Sequence, residues 1–252
     1  IAPALGKSIL DAFGWKAIFH FQDIFGVAVA IWFWLRQPET LPSRSRKTFR
    51  PIILWTGFRE VLQYRRTVVF TLIWGMITGS FLVYLSTTQV IFEIQYEAED
   101  LFPYLFAALA VTIGGATLVN GSLVLKYGMQ RLIGVSLICF TLIPFMYVLL
   151  FYGQPNPSLP ILMAFLCLQF FAIGFLFGNL RAMAMEPLGH IAGLGAAITG
   201  FMATAISVAL SSWIGSFLGQ TVLPLFIGFL VCGLLSILLL FGSQFKFKTR
   251  HA

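Results

Sequence analysis

Seven apolar runs, each long enough to cross a lipid bilayer, constrain this chain more than any other feature. They occupy roughly residues 17–36, 67–92, 102–125, 132–152, 160–180, 191–218 and 220–242. About 20 predominantly apolar residues in a helix match the hydrocarbon core of a membrane. A soluble alternative would wrap one very large core in polar surface. A chain that is 59% apolar and 10% charged has too few polar side chains to make that surface. In lipid the backbone N–H and C=O groups must be satisfied within the chain, and a lone apolar segment does so by coiling into a helix. The expected class is an all-α integral membrane protein.

The stretches between the runs carry turn residues or charge: "GWK" at 14–16, "EIQYEAED" at 93–100, "KYGMQR" at 126–131, "GQPNPS" at 153–158, "RAMAMEPLGH" at 181–190 and "LGQ" at 218–220. Pro103 and Pro160 stand near helix starts, where a missing N–H costs little. Pro144 and Pro224 are expected deeper in their helices, as kinks that neighbouring helices accommodate.

Orientation follows from the lysines and arginines, which favour the cytoplasmic side of short loops. Eight of the sixteen basic residues lie between Arg36 and Arg66, five of them in "RQPETLPSRSRKTFR" at 36–50. With that segment inside, alternation also puts 126–131, 181–190 and the tail 243–252 inside. Fourteen of the sixteen cations are then cytoplasmic, while Lys7 and Lys16 are outside together with Glu93, Glu97, Glu99 and Asp100. Residues 37–66 are also a linker, rich in proline, serine and arginine. Within it "IILWTGFREVLQY" at 52–64 is expected as a short helix on the membrane surface with its Trp and Phe toward lipid. A partial span and one full span precede this linker and six full spans follow it, as in the second half of a two-bundle transporter.

The net charge of +7 does not indicate nucleic acid, because the cations sit in short segments between apolar runs and form no basic face on a folded domain. Cys139, Cys167 and Cys232 lie inside apolar runs without ligand spacing and read as small hydrophobes. No metal or cofactor is expected. "IAPALGKSIL" at the start lacks the pattern of a signal peptide and reads as the last turns of a helix, so an N-terminally truncated chain is expected.

Four stretches share their pattern with a known family. "APALG" (2–6) matches the end of a Gly/Pro-rich fifth-helix antiporter motif, with Lys7 where a second glycine is usual. "FGWKAIF" (13–19) followed by "RQPETLP" (36–42) matches a sixth helix and its exit. "NGSLVLKYGMQRL" (120–132) matches the basic G-x-L-x-D-R-x-G-R loop at Gly121, Leu123, Lys126, Gly128 and Arg131, with Val124–Leu125 in place of the acid. "NLRAMAMEPLGHIAGLGAAITG" (179–200) matches a tenth-to-eleventh segment. In this order they resemble the Major Facilitator Superfamily and, within it, the Bcr/CflA-like multidrug efflux transporters. The resemblance implies an MFS-type helical bundle, of which this chain holds the C-terminal six-helix half and the preceding one and a half helices. Residues 1–36 would be the end of family helix 5 and helix 6, 37–66 the cytoplasmic linker, 67–242 the six-helix bundle and 243–252 a cytoplasmic tail.

Candidate site residues follow from the residues and the resemblance together. Trp74, Ile77, Ser80, Tyr84, Thr87 and Thr88 follow a helical stripe on the family's seventh helix. Thr112 and Gln169 add sparse polar groups, and such walls suit amphipathic molecules of varied shape. Since the resemblance implies that family helices seven and ten line the cavity, Trp74, Ser80, Tyr84, Thr88 and Gln169 are the substrate-binding candidates. The alternative is that Ser and Thr bond back to their own helix or glue helices together. His20 and Asp23, three apart on one helix, are proton-coupling candidates, because an ionisable group at membrane depth is by default a functional hypothesis. A paired or water-facing structural role is the alternative. Glu186 can carry a proton or pair with Arg181 or another inner cation. Gly121, Lys126, Gly128 and Arg131 form a gating loop by the resemblance, or else a plain positive-inside turn. The pairs Gly75/Gly79, Gly174/Gly178 and Gly215/Gly219 allow close helix approach.

The expected function is secondary active transport, with proton entry driving export of drugs or other amphipathic small molecules by alternating access. Its partners are the substrate, protons, the lipid bilayer and the absent N-terminal half. The expected location is the bacterial inner membrane, multi-pass, with linker and C-terminus cytoplasmic. A metabolite permease or exporter is the alternative. An intramembrane enzyme would need converging nucleophile, base or metal ligands, and His20, His190 and His251 are scattered. A channel would need a ring of carbonyls or charges.

Overall fold

The computed structural model describes residues 2–38, 51–219 and 221–248. Most of the basic stretch at 36–50 and the last four residues therefore lie outside the described part. The helices are α1 (Ala2–Phe13), α2 (Trp15–Arg36), α3 (Pro51–Gln63), α4 (Arg65–Gln89), α5 (Phe102–Tyr127), α6 (Met129–Phe151), α7 (Leu159–Met185), α8 (Ala192–Gly215) and α9 (Leu223–Lys248). No strand occurs among the described residues. The seven long helices coincide with the seven apolar runs to within a few residues, and the class is an all-α membrane bundle.

α4 is the central member. It packs on α7, α8 and α9, while α5 leans on α7 and α6 fills the space between α7 and α9. The reason lies in side-chain size. A Cβ added at Gly75 would lie 2.9 Å from Ile206 Cβ, and one at Gly79 would lie 3.1 Å from Ser207 Cα, so α4 and α8 are nearly in backbone contact. Ser207 Oγ crosses that gap and donates to Gly75 O at 3.0 Å. Gly174 gives α7 the same approach to α5, where Ala116 Cβ and Ile113 O would crowd a side chain. Among the described residues nothing lies within 4 Å of a Cβ built at Gly178, Gly215 or Gly219, so the close approach expected of those three is not seen there.

Between these crossings the core is filled by large apolar groups: Ile73, Ile77 and Tyr84 of α4, Phe140 and Tyr147 of α6, Phe170 of α7 and Phe226 and Phe229 of α9. Tyr147 and Phe226 stack with centroids 3.6 Å apart, and the edge of Phe165 abuts both. Thr112 and Thr141 donate to the carbonyls four residues back at 3.0 and 2.8 Å, satisfying their hydroxyls inside their own helices.

Two expectations need correction, and one turn was not expected at all. Pro224 stands at the second residue of α9, because that helix begins at Leu223, so it opens the helix and does not kink it. Pro144 does lie inside α6. The end of α4 widens into a π-helical turn at Val90–Gln95, which no sequence signal announced. And α3 does not simply rest on lipid. Its Val61 is fully buried in a small second core with Leu188 and Ile198, flanked by Phe58, Tyr64 and Leu194, while Trp55 remains exposed.

α1 packs on α2 and α5. α2 has no buried residue along its 22 positions, and beyond its first turns, where Ala17 and Ile18 are half-buried, it is open on every side.

Candidate functional site

The two ends of the bundle differ in charge. At one end Lys7 Nζ lies 3.5 Å from Asp100 Oδ1, linking α1 to the loop after α4. There Tyr96 Oη donates to Pro157 O at 2.9 Å and Asn156 Nδ2 donates to Gln95 Oε1 at 3.1 Å. Burial pushes the Tyr96 phenol up to about 12. At the other end Arg66 Nη2 meets Glu186 Oε2 at 2.8 Å, His190 Nε2 meets Glu60 Oε1, and Arg65 donates to Gly242 O. The groups that alternation assigned to a common side do lie together. Glu186 pairs with Arg66 and not with Arg181, whose guanidinium instead lies 5.9 Å over the Trp74 ring.

Trp74, Phe81 and Leu85 recur on one face of α4 at helical spacing. Phe81 meets Phe177 of α7 edge-on at 5.6 Å and Phe170 at 5.4 Å. Trp74, Phe81 and Phe177 are half-buried, and Leu85, Gly178 and Arg181 are exposed. This gives an open aromatic face shared by α4 and α7, with one cation at its edge. Phe81 and Phe177 were not picked out from sequence, and Arg181 was noted there only as a possible partner of Glu186. For Phe81 the signal was available, seven residues from Trp74 on the same stripe.

Behind that face lies a buried polar layer. Tyr84 is 1% exposed, held edge-on to Phe170 at 4.7 Å and stacked on Phe106 at 6.3 Å. Its hydroxyl neighbours that of Thr88 one turn on, yet neither hydroxyl makes a hydrogen bond of acceptable geometry among the described residues. Gln169 is fully buried toward α6. Its Nε2 donates to Phe140 O at 3.2 Å while Oε1 has no partner among the described residues. Ser80 Oγ donates to Met76 O at 2.9 Å and Thr87 Oγ1 to Val83 O at 2.7 Å, so these two hydroxyls are satisfied within α4. Farther along, Asn120 of α5 and Asn179 of α7 exchange amide hydrogen bonds of 3.4 and 2.8 Å in the buried contact.

His20 and Asp23 are both exposed on α2, with no ion pair or hydrogen bond among the described residues. Gly128 closes α5 and opens α6 with φ 77°, a left-handed conformation that suits glycine. Lys126 and Arg131 flank it and lie 5.2 and 5.9 Å from the Tyr127 ring, while Gly121 is exposed on α5.

The described residues thus form a helical bundle with ion pairs at both ends, no group of His, Cys, Asp and Glu that could hold a metal, and an open aromatic face. Residues 1–212 match the profile of the Major Facilitator Superfamily. The chain belongs to that superfamily. Among the described residues its long apolar helices have the length and composition to cross a membrane. It is 25% identical over 261 residues to a bicyclomycin resistance protein homolog of Haemophilus influenzae, covering 94% of this chain and 60% of that protein. It is 26% identical over 223 residues to the uncharacterized MFS-type transporter YdgK of Bacillus subtilis, covering 85% of this chain and 54% of that protein. The superfamily chain thus spans rather more than half the length of these curated relatives. No solved structure matches it.

Proposed function

We propose that this superfamily member is one lobe of a proton-coupled exporter of drugs or other amphipathic small molecules, working by alternating access in a bacterial inner membrane. The observation that carries the reading is the layered wall of α4 and α7. An aromatic face is backed by the neighbouring hydroxyls of Tyr84 and Thr88 and by Gln169 Oε1, none of which has a well-aligned hydrogen bond among the described residues. Buried polar atoms normally are hydrogen-bonded, and unmatched ones near an open face are suited to a ligand's polar groups. Trp74, Phe81 and Phe177 would supply apolar contact, with Ser80 beside them as part of the wall. Rings and a few hydrogen-bonding points tolerate varied ligand shapes. The name of the Haemophilus relative supports drug export as the substrate class.

In this reading α1 and α2 belong with a second bundle, which would cover the open faces of α2. His20 and Asp23 are its proton-coupling candidates on this side, and Glu186, held by Arg66, is the third. The cationic end, with linker and C-terminus, faces the cytoplasm, and Gly121, Lys126, Gly128 and Arg131 act as the gating loop there.

The test is pH-gradient-driven efflux of a compound panel from vesicles holding the full-length protein. Export that rises with the proton gradient and falls several-fold in Tyr84→Phe and Phe81→Ala supports the reading. Gradient-independent movement, or no movement of any compound, sinks it. Asp23→Asn should abolish the dependence on the gradient, and unchanged coupling would remove Asp23 from the scheme.

A further inference from the structure

The α5–α6 turn does more than close two helices. Beside it lies an open cleft of about 500 Å3, walled by Arg66 of α4, Tyr127, Gln130 and Arg131 of the turn and Glu186 of α7, with Met183 on its floor. The charges around this cleft do not balance. Glu186 is engaged by Arg66 at 2.8 Å, and Arg66 also donates to the Met183 sulfur at 3.6 Å. Arg131 has no carboxylate partner among the described residues and lies over the Tyr127 ring, as does Lys126. Val124 and Leu125 occupy the place where an acid could have offset these two cations. The first turn of α6 adds its own polarity. Gly128 provides no side-chain cap, and Gly128 to Arg131 all line the cleft, so the positive end of the α6 dipole adds to the charge of Arg131 there.

The cleft lies where α4 and α6 begin and α7 ends, and the ends of bilayer-length helices meet the headgroup layer. Basic pockets between transmembrane helices at the cytoplasmic boundary recognise anionic headgroups. We infer that this cleft holds the phosphodiester headgroup of an acidic phospholipid of the cytoplasmic leaflet. Arg131 and the α6 N-terminus contact the phosphate, Gln130 donates to it, and Met183 lies beneath the start of the acyl chains. The assignment rests on the proposed orientation for its leaflet, and on nothing in the transport reading for its chemistry. Lipid in the cleft would brace α4, α6 and α7 against one another at the end that has to move in alternating access.

The experiment is native mass spectrometry of the full-length protein in detergent, titrated with phosphatidylglycerol, phosphatidylcholine and inorganic phosphate. Phosphatidylglycerol should be retained in preference to phosphatidylcholine. Arg131→Gln should weaken it about five-fold, as expected for one cation near a membrane surface. Gln130→Glu is the second variant. A carboxylate in the first turn favours the α6 helix, so folding is preserved while the anion is repelled. Lys16→Gln, at the opposite end, should change nothing. Equal retention of both lipids, equal effects of Arg131→Gln and Lys16→Gln, or displacement of phosphatidylglycerol by inorganic phosphate would overturn the assignment. Transport is not the readout, so a failed efflux assay leaves this result standing, and the reverse is also true.

Discussion

At Gly75 the nearest obstacle to a side chain is Ile206 Cβ, 2.9 Å from where a Cβ would sit, and at Gly79 it is the backbone of Ser207. Neither neighbour is the free end of a flexible chain, so a larger residue must separate α4 from α8 and break the Ser207 to Gly75 hydrogen bond. Gly75→Leu should therefore destabilise the bundle by about 1–3 kcal/mol, the usual cost of overpacking. Thermal unfolding in detergent measures it, with Gly178→Ala, where nothing lies within reach, as the variant that should not lower the midpoint. The Asn120–Asn179 pair makes the complementary case. Asn179→Leu strands a buried amide on α5 and should cost about 1 kcal/mol, in line with hydrogen bonds between membrane helices. Removing both amides should recover part of that loss, since the penalty lies in the partner left unmatched. Tyr96 predicts a pH effect. Its phenol is held up to about 12 by burial, against an ordinary value of 10. The contribution is complete below pH 10 and is lost as pH rises from 10 toward 12, because the unfolded chain ionises first. Tyr96→Phe should flatten that part of the stability–pH curve.

The long helices were legible because hydrocarbon thickness imposes a length, and length survives in a sequence as an unbroken apolar run. What the runs do not encode is which neighbour each face meets. Pro224 illustrates this: by composition the apolar run begins earlier than α9, so a proline at its fifth position reads as a kink, while the backbone starts coiling only at Leu223. Glu186 was seen as an acid in need of a cation, but Arg66 is 120 positions away in sequence and only the fold brings it near. The stripe of Trp74, Ser80 and Tyr84 was visible on α4, whereas its division into an outer aromatic face and an inner unmatched polar layer depends on α7. α3 is the largest departure. Its Trp and Phe suggested a helix lying in lipid, yet Val61, Leu188 and Ile198 bury one another, and His190 meets Glu60 across the same contact. Val61→Asp should release this helix from α8. Hydrogen exchange of residues 52–63 would then rise several-fold while the middle of α4, covered by α7 and α8, stays protected.

Taken whole, the bundle has two ends that differ in charge. Lys7, Asp100, Tyr96 and Pro157 meet at one end, and Arg66, Glu186, Glu60 and His190 at the other. Each long helix carries the chain from one group to the other. The alternation is therefore a property of the fold, and the remaining step is to say which end faces the cell interior. Short basic connections are retained inside because translocating them is unfavourable, and the cationic end carries Arg59, Arg65, Arg66, Lys126 and Arg131 against Lys7 and Lys16 at the other. Single cysteines at Glu99 and Arg59, in a background with Cys139, Cys167 and Cys232 replaced by serine, distinguish the two orientations. A membrane-impermeant maleimide added to intact cells should label Glu99→Cys and leave Arg59→Cys unlabelled until the membrane is opened. The reverse pattern would invert the protein in its membrane, and the phospholipid cleft beside Arg131 would then face the outer leaflet.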